Sequence, residues 1–263
     1  MDIQNSKIDG GKAFDWGKTS ADYARFRDIY PQEFYDNIVN RGLCIKGQRV
    51  LDLGTGTGVL PRNLYRFGAE WVGTDIAPEQ IEQAKQLAAS AGMQIDFRAV
   101  SAENLNEPDA SFDVITACQC FWYFDHEKVM PELARMLKPG GKIVVLYMAW
   151  LPFEDAIAGE SERLILQYNP NWTGRDETRH NNWIPDIAKD YFDLTEETFY
   201  DIPVRFTRES WHGRMRACRG TGASMSPEVF AQWDADHRLM LEQSAPPEFD
   251  VQHFAAITVL TKR

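Results

Sequence analysis

The order of apolar and polar positions along the chain predicts an alternation of strands and helices. Buried strands are predicted in five apolar stretches: "QRVLDLG", "EWVGTD", "IDFRAV", "FDVITAC" and "KIVVLYM". Helical spacing follows three of these strands. A helix runs to about Phe67 after the first, over residues 78–91 after the second, and from about His126 to Leu137 after the fourth. Strands that alternate with helices form βαβ units, so we expect an open, doubly wound parallel sheet with helices on both faces.

The chain departs from this rhythm at both ends. An aromatic-rich helical pattern covers residues 15–26, and a second helix follows Pro31. After Met148, residues 153–168 look helical, whereas residues 169–192 are irregular and are typical of a loop or lid that covers a site.

Two further strands are predicted towards the carboxyl end, at residues 196–205 and 254–261. A helical region between them has Pro227 in its first turn. We therefore expect a single α/β domain over residues 1–263. Its core would comprise about residues 30–149 and 193–263, and a cap over the site would comprise residues 1–30 and about 150–192.

The charge of the chain argues against a nucleic-acid partner. Its 28 basic and 39 acidic residues give a formal net charge of −11 at pH 7, and a surface that follows phosphates needs a basic field. The longest apolar stretch, residues 143–153, is too short to span a membrane and contains a proline. We expect neither nucleic acid nor membrane among the partners.

The cysteines predict neither a disulfide framework nor a metal site. Four are present, and they lack the paired spacing of either arrangement: Cys44, Cys118, Cys120 and Cys218. A reducing cytoplasm is therefore the predicted compartment, with no bound metal.

The stretch "VLDLGTGTGVLP", residues 50–61, joins the first strand to its helix by a glycine-rich turn. Gly54, Gly56 and Gly58 can adopt positive φ and let the backbone approach a ligand. The first amides of the following helix are unsatisfied donors. The spacing is G-x-G-x-G, whereas a dinucleotide turn reads G-x-G-x-x-G, and no Gly-Lys-Ser/Thr of a triphosphate loop occurs.

Two acids define the ligand that this turn suits. Asp52 precedes the glycines, where a carboxylate favours a positively charged group over a pyrophosphate. Asp75 ends the second strand, 21 residues after Gly54 (75 − 54), where it can accept hydrogen bonds from a ribose diol. The ligand should therefore have a ribose, an adenine-like ring and a cationic end, which points to S-adenosylmethionine.

Five motifs, matched in order over about residues 23–146, resemble the class I S-adenosylmethionine-dependent methyltransferases. The similarity is to the small-molecule branch with ubiquinone/menaquinone-type and trans-aconitate-type enzymes. The motifs are "VLDLGTGTG", "VGTDIA", "AVSAENL", "FDVITACQCFWYFD" and "LKPGGKIVV". The resemblance implies a Rossmann-like, doubly wound, seven-stranded sheet that is mostly parallel and has an antiparallel C-terminal strand.

The resemblance also implies which residues bind the cofactor. The first motif would surround the methionine and ribose, the second would hold ribose and adenine, the third would border the adenine, and the fourth would complete the site. In that order the residues are Asp52, Gly54, Thr55, Gly56, Gly58; Asp75, Ile76; Ser101, Ala102, Glu103; and Cys118, Gln119. Upstream, "YARFRDIYP" resembles a segment of the trans-aconitate-like branch, with Tyr23 and Arg27 closing over the methionine end.

No single residue stands out as catalytic. Trp122 occupies the position where relatives often have a histidine, so a base there is absent. The candidates for the acceptor pocket are Trp122, Tyr123, Tyr147, His180 and His212. Five arginines between residues 205 and 219 either bind an anionic substrate or balance nearby acids.

The predicted activity is methyl transfer to a small molecule by in-line displacement, which leaves S-adenosylhomocysteine. The acceptor would be an oxygen, carbon or sulfur nucleophile such as a carboxylate, which arrives ionised, or a phenol, which needs a base. Two alternatives remain: an NAD-dependent oxidoreductase, and a non-catalytic cofactor-binding protein on the same fold. We expect a monomer or a homodimer.

Overall fold

The computed structural model describes residues 8–263, so the first seven residues of the predicted N-terminal segment lie outside it. Two compact units are formed. One, here called the sheet unit, comprises residues 30–148, 180–200 and 255–263. The other, here called the helical unit, comprises residues 8–29, 149–179 and 201–254.

Seven strands and eight α-helices are formed within residues 8–263. In chain order they are α1 Ser20–Phe26, α2 Gln32–Val39, β1 Arg49–Leu53, α3 Val59–Leu64, β2 Glu70–Asp75, α4 Pro78–Ser90, β3 Asp96–Ala99, β4 Phe112–Cys118, α5 His126–Met136, β5 Leu137–Trp150, α6 Ala156–Tyr168, β6 Phe192–Thr207, α7 Arg208–Arg216, α8 Pro227–Ser244 and β7 Glu248–Lys262.

The strands form a mixed sheet in the order β3-β2-β1-β4-β5-β7-β6. β1 pairs in parallel with β2 and β4, and the parallel pairs β2·β3 and β4·β5 extend the sheet on either side. β7 runs antiparallel, as the resemblance implied. Because the order reverses at β1, the carboxyl end of β1 is the place where such sheets bind ligands.

The sheet unit is held by an apolar core around its central strands. Leu51, Leu53, Ile115 and Ile143 are fully buried, because strands covered on both faces need apolar side chains on both. Phe97 of β3 packs so closely that a Cβ added to Gly73 of β2 would lie 2.7 Å from its ring. The glycine therefore leaves the room that this phenylalanine occupies.

Caps position the helices of the helical unit. The Asp155 carboxylate accepts a hydrogen bond from the Ala158 amide (2.9 Å) at the start of α6, and Thr207 and Ser210 form a capping box on α7. α8 starts with Pro227 in its first turn, as predicted. The predicted helix over residues 15–26 is shorter than expected, because residues 16–19 form a 3-10 turn before α1.

The prediction of one domain with a cap stays a prediction. β5, β6 and β7 each contribute residues to both compact units. No helix among the residues described, 8–263, combines the length and apolarity needed to cross a membrane.

Candidate active site

The glycine turn after β1 has the backbone conformation that its sequence predicted. Gly54, Gly56 and Gly58 adopt φ values of 57°, 55° and 73°, in the left-handed region. The Thr55 amide donates to the Thr74 carbonyl of β2 (2.8 Å), which fastens the turn to the neighbouring strand. α3 begins directly after Gly58, so the first free amides of this helix lie at the turn.

Asp75 closes the turn from the end of β2. One carboxylate oxygen accepts from the Gly56 amide and the other from the Ala77 amide, both at 2.9 Å. Burial raises the pKa of Asp75, and these two amides oppose that rise. Each oxygen retains a further lone pair, so the half-buried carboxylate can still accept hydrogen bonds from a diol. Ile76, beside it, is 37% exposed and offers an apolar contact.

Asp52 is a buried carboxylate directly before the turn. It is 2% exposed and accepts a hydrogen bond from the Thr116 hydroxyl of β4 (2.6 Å). Burial raises the pKa of Asp52 to about 7, with a further contribution from the negative charge of Asp75. A ligand that brings a positive charge near this group would offset the cost of its ionisation.

The end of β4 is fastened to the glycine turn by a residue that the sequence did not assign to the site. The Cys120 thiol donates to the Leu53 carbonyl (3.1 Å), and a Cβ added to Gly54 would lie 2.8 Å from the Cys120 side chain. No sequence signal marks this contact, because it depends on how two turns pack together. Burial raises the pKa of Cys120, so its thiol stays protonated.

The two predicted cofactor residues before Cys120 also lie at this end of β4. The Cys118 thiol donates to the Tyr30 hydroxyl (3.4 Å). Gln119 adopts φ 65°, an uncommon value for a residue other than glycine, and its side-chain amide donates to the Met148 carbonyl. Gln119 is thereby held between β4 and β5.

The third predicted motif forms a 3-10 turn, Ala102–Asn104, directly after β3. The Val100 amide donates to the Asp75 carbonyl (2.9 Å), which connects this turn to the end of β2. Ala102 is buried, and the Glu103 carboxylate accepts from the Asp125 amide (3.1 Å). Ser101 accepts from the Asn104 side chain (2.8 Å). Within the sheet unit, the predicted adenine border is therefore contiguous with Asp75.

Tyr23 and Arg27 belong to the helical unit and pair with each other there. The Arg27 guanidinium lies 4.8 Å from the centroid of the Tyr23 ring and donates to its hydroxyl (3.4 Å). Their predicted closure over the methionine end of the cofactor stays a prediction.

Four of the five pocket candidates form a contiguous cluster of rings in the sheet unit. The ring centroids are separated by 5.3 Å between Trp122 and Tyr123, by 5.3 Å between Trp122 and Tyr147, and by 5.2 Å between Tyr147 and His180. Trp122 lies on the 3-10 turn that follows β4, two residues after Cys120. The cluster therefore begins two residues after Cys120, whose thiol donates to the Leu53 carbonyl just before the glycine turn.

His212, the fifth candidate, lies in the core of the helical unit. It is 3% exposed, and its ring nitrogens contact His237 Nδ1 (2.7 Å) and Asp234 (2.9 Å). Burial lowers the pKa of His212, and the Asp234 carboxylate opposes that fall. These partners connect α7 to α8, so the observed contacts of His212 are structural.

The arginines between residues 205 and 219 mostly meet acids of the helical unit. Arg216 binds Asp22 (2.9 Å) and Asp234, and Arg219 binds buried Asp9 (2.5 Å). Arg205 pairs with Glu248 and Asp250, while Arg208 donates to the Ala245 carbonyl. These contacts favour the interpretation that the arginines balance nearby acids over the interpretation that they bind an anionic substrate.

Comparisons with known proteins agree with this geometry. Residues 51–145 match a family model described as a methyltransferase domain. A ubiquinone biosynthesis O-methyltransferase of Xanthomonas oryzae pv. oryzae is 33% identical over 137 residues, which cover 51% of this chain and 57% of that protein. A demethylmenaquinone methyltransferase of Thermus thermophilus is 43% identical over 102 residues, or 38% and 46% of the two chains. The chain spans about half the length of the curated relatives it matches.

A solved structure shares the fold over most of the chain. The YcgJ protein of Bacillus subtilis superposes with a TM-score of 0.53 at 20% sequence identity, over 89% of this chain and 99% of that one. At this identity the likeness concerns the fold, and it agrees with the seven-stranded sheet described above.

Proposed function

We propose that this chain is a class I S-adenosylmethionine-dependent methyltransferase that transfers a methyl group from S-adenosylmethionine to a small molecule; the match of residues 51–145 to a methyltransferase-domain model supports this. The observation that carries the proposal is the hydrogen bond of the Gly56 amide to Asp75 (2.9 Å). It joins the left-handed glycine turn to a carboxylate at the switch point of the sheet, where nucleoside ligands bind.

The residues present fit this cofactor. Asp75 would accept hydrogen bonds from the ribose hydroxyls, Ile76 would contact the adenine, and the turn Ala102–Asn104 would border it. When bound, S-adenosylmethionine supplies a methyl group on a positively charged sulfur. Asp52 would place a negative carboxylate next to the glycine turn. Burial raises the pKa of Asp52 to about 7, so a cation bound nearby would favour the ionised form of this group.

The contribution of the chain to the transfer is mainly the positioning of the acceptor. In-line displacement at a sulfonium needs near-attack geometry more than it needs a catalytic acid or base. Among the pocket candidates, Trp122, Tyr123, Tyr147 and His180 provide walls for an acceptor beside the end of β4. An oxygen, carbon or sulfur nucleophile is compatible with such walls, and S-adenosylhomocysteine is the expected second product.

Calorimetric titration with S-adenosylmethionine, S-adenosylhomocysteine and NAD tests the proposal. We expect the first two to bind, and Asp75→Ala to weaken both by about 10- to 100-fold, because several hydrogen bonds to a charged acceptor are lost. Asp96→Ala is the matched control, since it removes an exposed acid of the adjacent strand. Binding of NAD in place of both sulfur ligands would overturn the proposal.

A further inference from the structure

Two carboxylates flank the glycine turn, one at the end of β2 and one near the end of β1. The first, Asp75, accepts hydrogen bonds from the backbone amides of Gly56 and Ala77, both at 2.9 Å. A backbone amide can only donate, so both bonds favour the ionised form of this carboxyl group. Asp75 is therefore suited to carry a fixed negative charge.

The second carboxylate, Asp52, meets hydroxyl groups instead of amides. Thr116 Oγ1 lies 2.6 Å from Asp52 Oδ1 and 3.5 Å from the carbonyl oxygen of Leu51. Because a hydroxyl both donates and accepts, it can donate to the carboxylate, or it can turn to the Leu51 carbonyl and accept from the carboxylic acid. The Thr55 hydroxyl is a further neighbour that favours the ionised form. These hydroxyls are compatible with either protonation state of Asp52.

Burial and the charges around Asp52 favour its protonated form. Its side chain is 2% exposed, so a carboxylate there has almost no contact with water. Asp75 acts on it from β2 with a like charge. The other titratable neighbours are the thiols of Cys44, ahead of β1, and Cys120, after β4, and burial raises the pKa of both, so both stay neutral. Of the two carboxylates, Asp52 is therefore the one that holds a proton.

We infer that Asp52 is a carboxylic acid in the unliganded protein at mildly acidic pH, and that it releases its proton when S-adenosylmethionine binds. This inference rests on the proposed function. The positive charge of the ligand stabilises the ionised form. The O–H bond of the carboxyl group breaks, the proton passes to the buffer, and the Thr116 hydroxyl turns from the Leu51 carbonyl to the carboxylate. Thr116 is a positioning residue, because it acts through Asp52.

Isothermal titration calorimetry on the full chain at pH 6, in two buffers that differ in ionisation enthalpy, counts the protons released on binding. The probes are S-adenosylmethionine and methylthioadenosine, which keeps the adenosine and the sulfur but carries no positive charge. Since the pKa of Asp52 is about 7, we expect S-adenosylmethionine to release about 0.8 proton more from the parent protein than from Asp52→Asn. Methylthioadenosine should release equal numbers from both proteins.

The affinities provide a second measure. Because binding releases a proton, the affinity of the parent protein for S-adenosylmethionine should fall about 5-fold from pH 7 to pH 6, and that of Asp52→Asn should not. Thr116→Val keeps the shape of the side chain but removes the donor to the carboxylate, so it should weaken S-adenosylmethionine about 10-fold and methylthioadenosine much less. Thr116→Ser retains a hydroxyl and should retain most of the binding.

Equal proton release from the parent protein and from Asp52→Asn would overturn the inference. Equal weakening of the two ligands by Thr116→Val would also overturn it, because a merely structural hydroxyl would not distinguish a charged ligand from a neutral one. The Thr116 variants keep Asp52 itself, so they decide the question even where Asp52→Asn does not fold. Failure of S-adenosylmethionine to bind to the parent protein would instead overturn the proposed function, so the two failures are distinguishable.

Discussion

The Nδ1 atoms of His212 and His237 lie 2.7 Å apart in the core of the helical unit. One must donate and the other accept, so the two tautomers are coupled. When His212 donates from Nε2 to Asp234, its Nδ1 accepts from His237, and His237 Nε2 then accepts from the Ser161 hydroxyl (3.0 Å). A doubly protonated pair would have two N–H groups facing each other, and the contact would break.

Acid should therefore destabilise the protein through this pair. Burial lowers the pKa of His237 to about 3, so the unfolded chain binds more protons from pH 6.5 down to about 3. Stability is present above pH 6.5 and is lost as the pH falls. Between pH 7 and pH 4.5 we expect His237 to contribute about 2 kcal/mol to this loss. Denaturant unfolding of His237→Phe at both pH values should show a smaller difference than the parent protein does.

His180→Phe is the control for that experiment, because it removes an exposed histidine instead of a buried one. It should leave the difference between pH 7 and pH 4.5 unchanged. Equal pH dependence of His237→Phe and the parent would show that the buried pair does not carry the acid sensitivity.

Asp52 should act in the opposite direction. Its folded pKa of about 7 lies above the ordinary 3.8, so the folded state binds more protons and stability falls as the pH rises between these values. Asp52→Asn keeps an oxygen that can accept from Thr116 and removes the charge. We expect Asp52→Asn to gain about 2 kcal/mol over the parent at pH 8 and little at pH 4. Thermal unfolding at the two pH values measures it, and an equal gain at both would contradict the explanation.

A methyl group at position 73 should lower the free energy of unfolding. A Cβ there would lie 2.7 Å from Phe97, so we expect Gly73→Ala to lose about 1–3 kcal/mol of unfolding free energy. Adding Phe97→Leu should recover part of that loss, because the smaller side chain vacates the contact. A double-mutant cycle by denaturant unfolding measures the coupling, and strictly additive losses would exclude the clash as the cause.

Asn182→Ala should destabilise the sheet unit because it removes one side-chain amide that donates to two buried groups. It leaves the buried Val145 carbonyl and Thr258 hydroxyl without the amide that serves both, at a cost of about 1–3 kcal/mol. The neighbouring exposed Asn181→Ala is the control and should change stability by less than about 0.5 kcal/mol. Amide hydrogen exchange around residues 180–184 should report a local loss of protection in Asn182→Ala alone.

Local patterns predicted the fold and the backbone conformation of the glycine turn well. Alternating strands and helices, and the positive φ of Gly54, Gly56 and Gly58, follow from short stretches of chain, and both predictions are confirmed. The predicted resemblance to methyltransferases agrees with the match of residues 51–145 to a methyltransferase-domain model. Glycine spacing is informative because few other residues adopt that backbone conformation.

Contacts between distant parts of the chain could not be predicted in this way. Asn182 bonds to Thr258 across 76 residues, and nothing near Asn182 in the sequence marks it as an anchor. Arg216 meets Asp22 across 194 residues, so its stretch remained open to an anion-binding reading. Such pairs form only when the whole chain packs, so a short stretch of sequence around one partner does not indicate the other.

The two compact units are interleaved, because the chain passes from one unit to the other at residues 29/30, 148/149, 179/180, 200/201 and 254/255. Neither unit is therefore one continuous stretch. An engineer who wished to exchange the helical unit for that of a relative would have to graft three segments at once, and three of the joins would fall within β5, β6 and β7. Recombination at a single breakpoint therefore cannot exchange either unit intact.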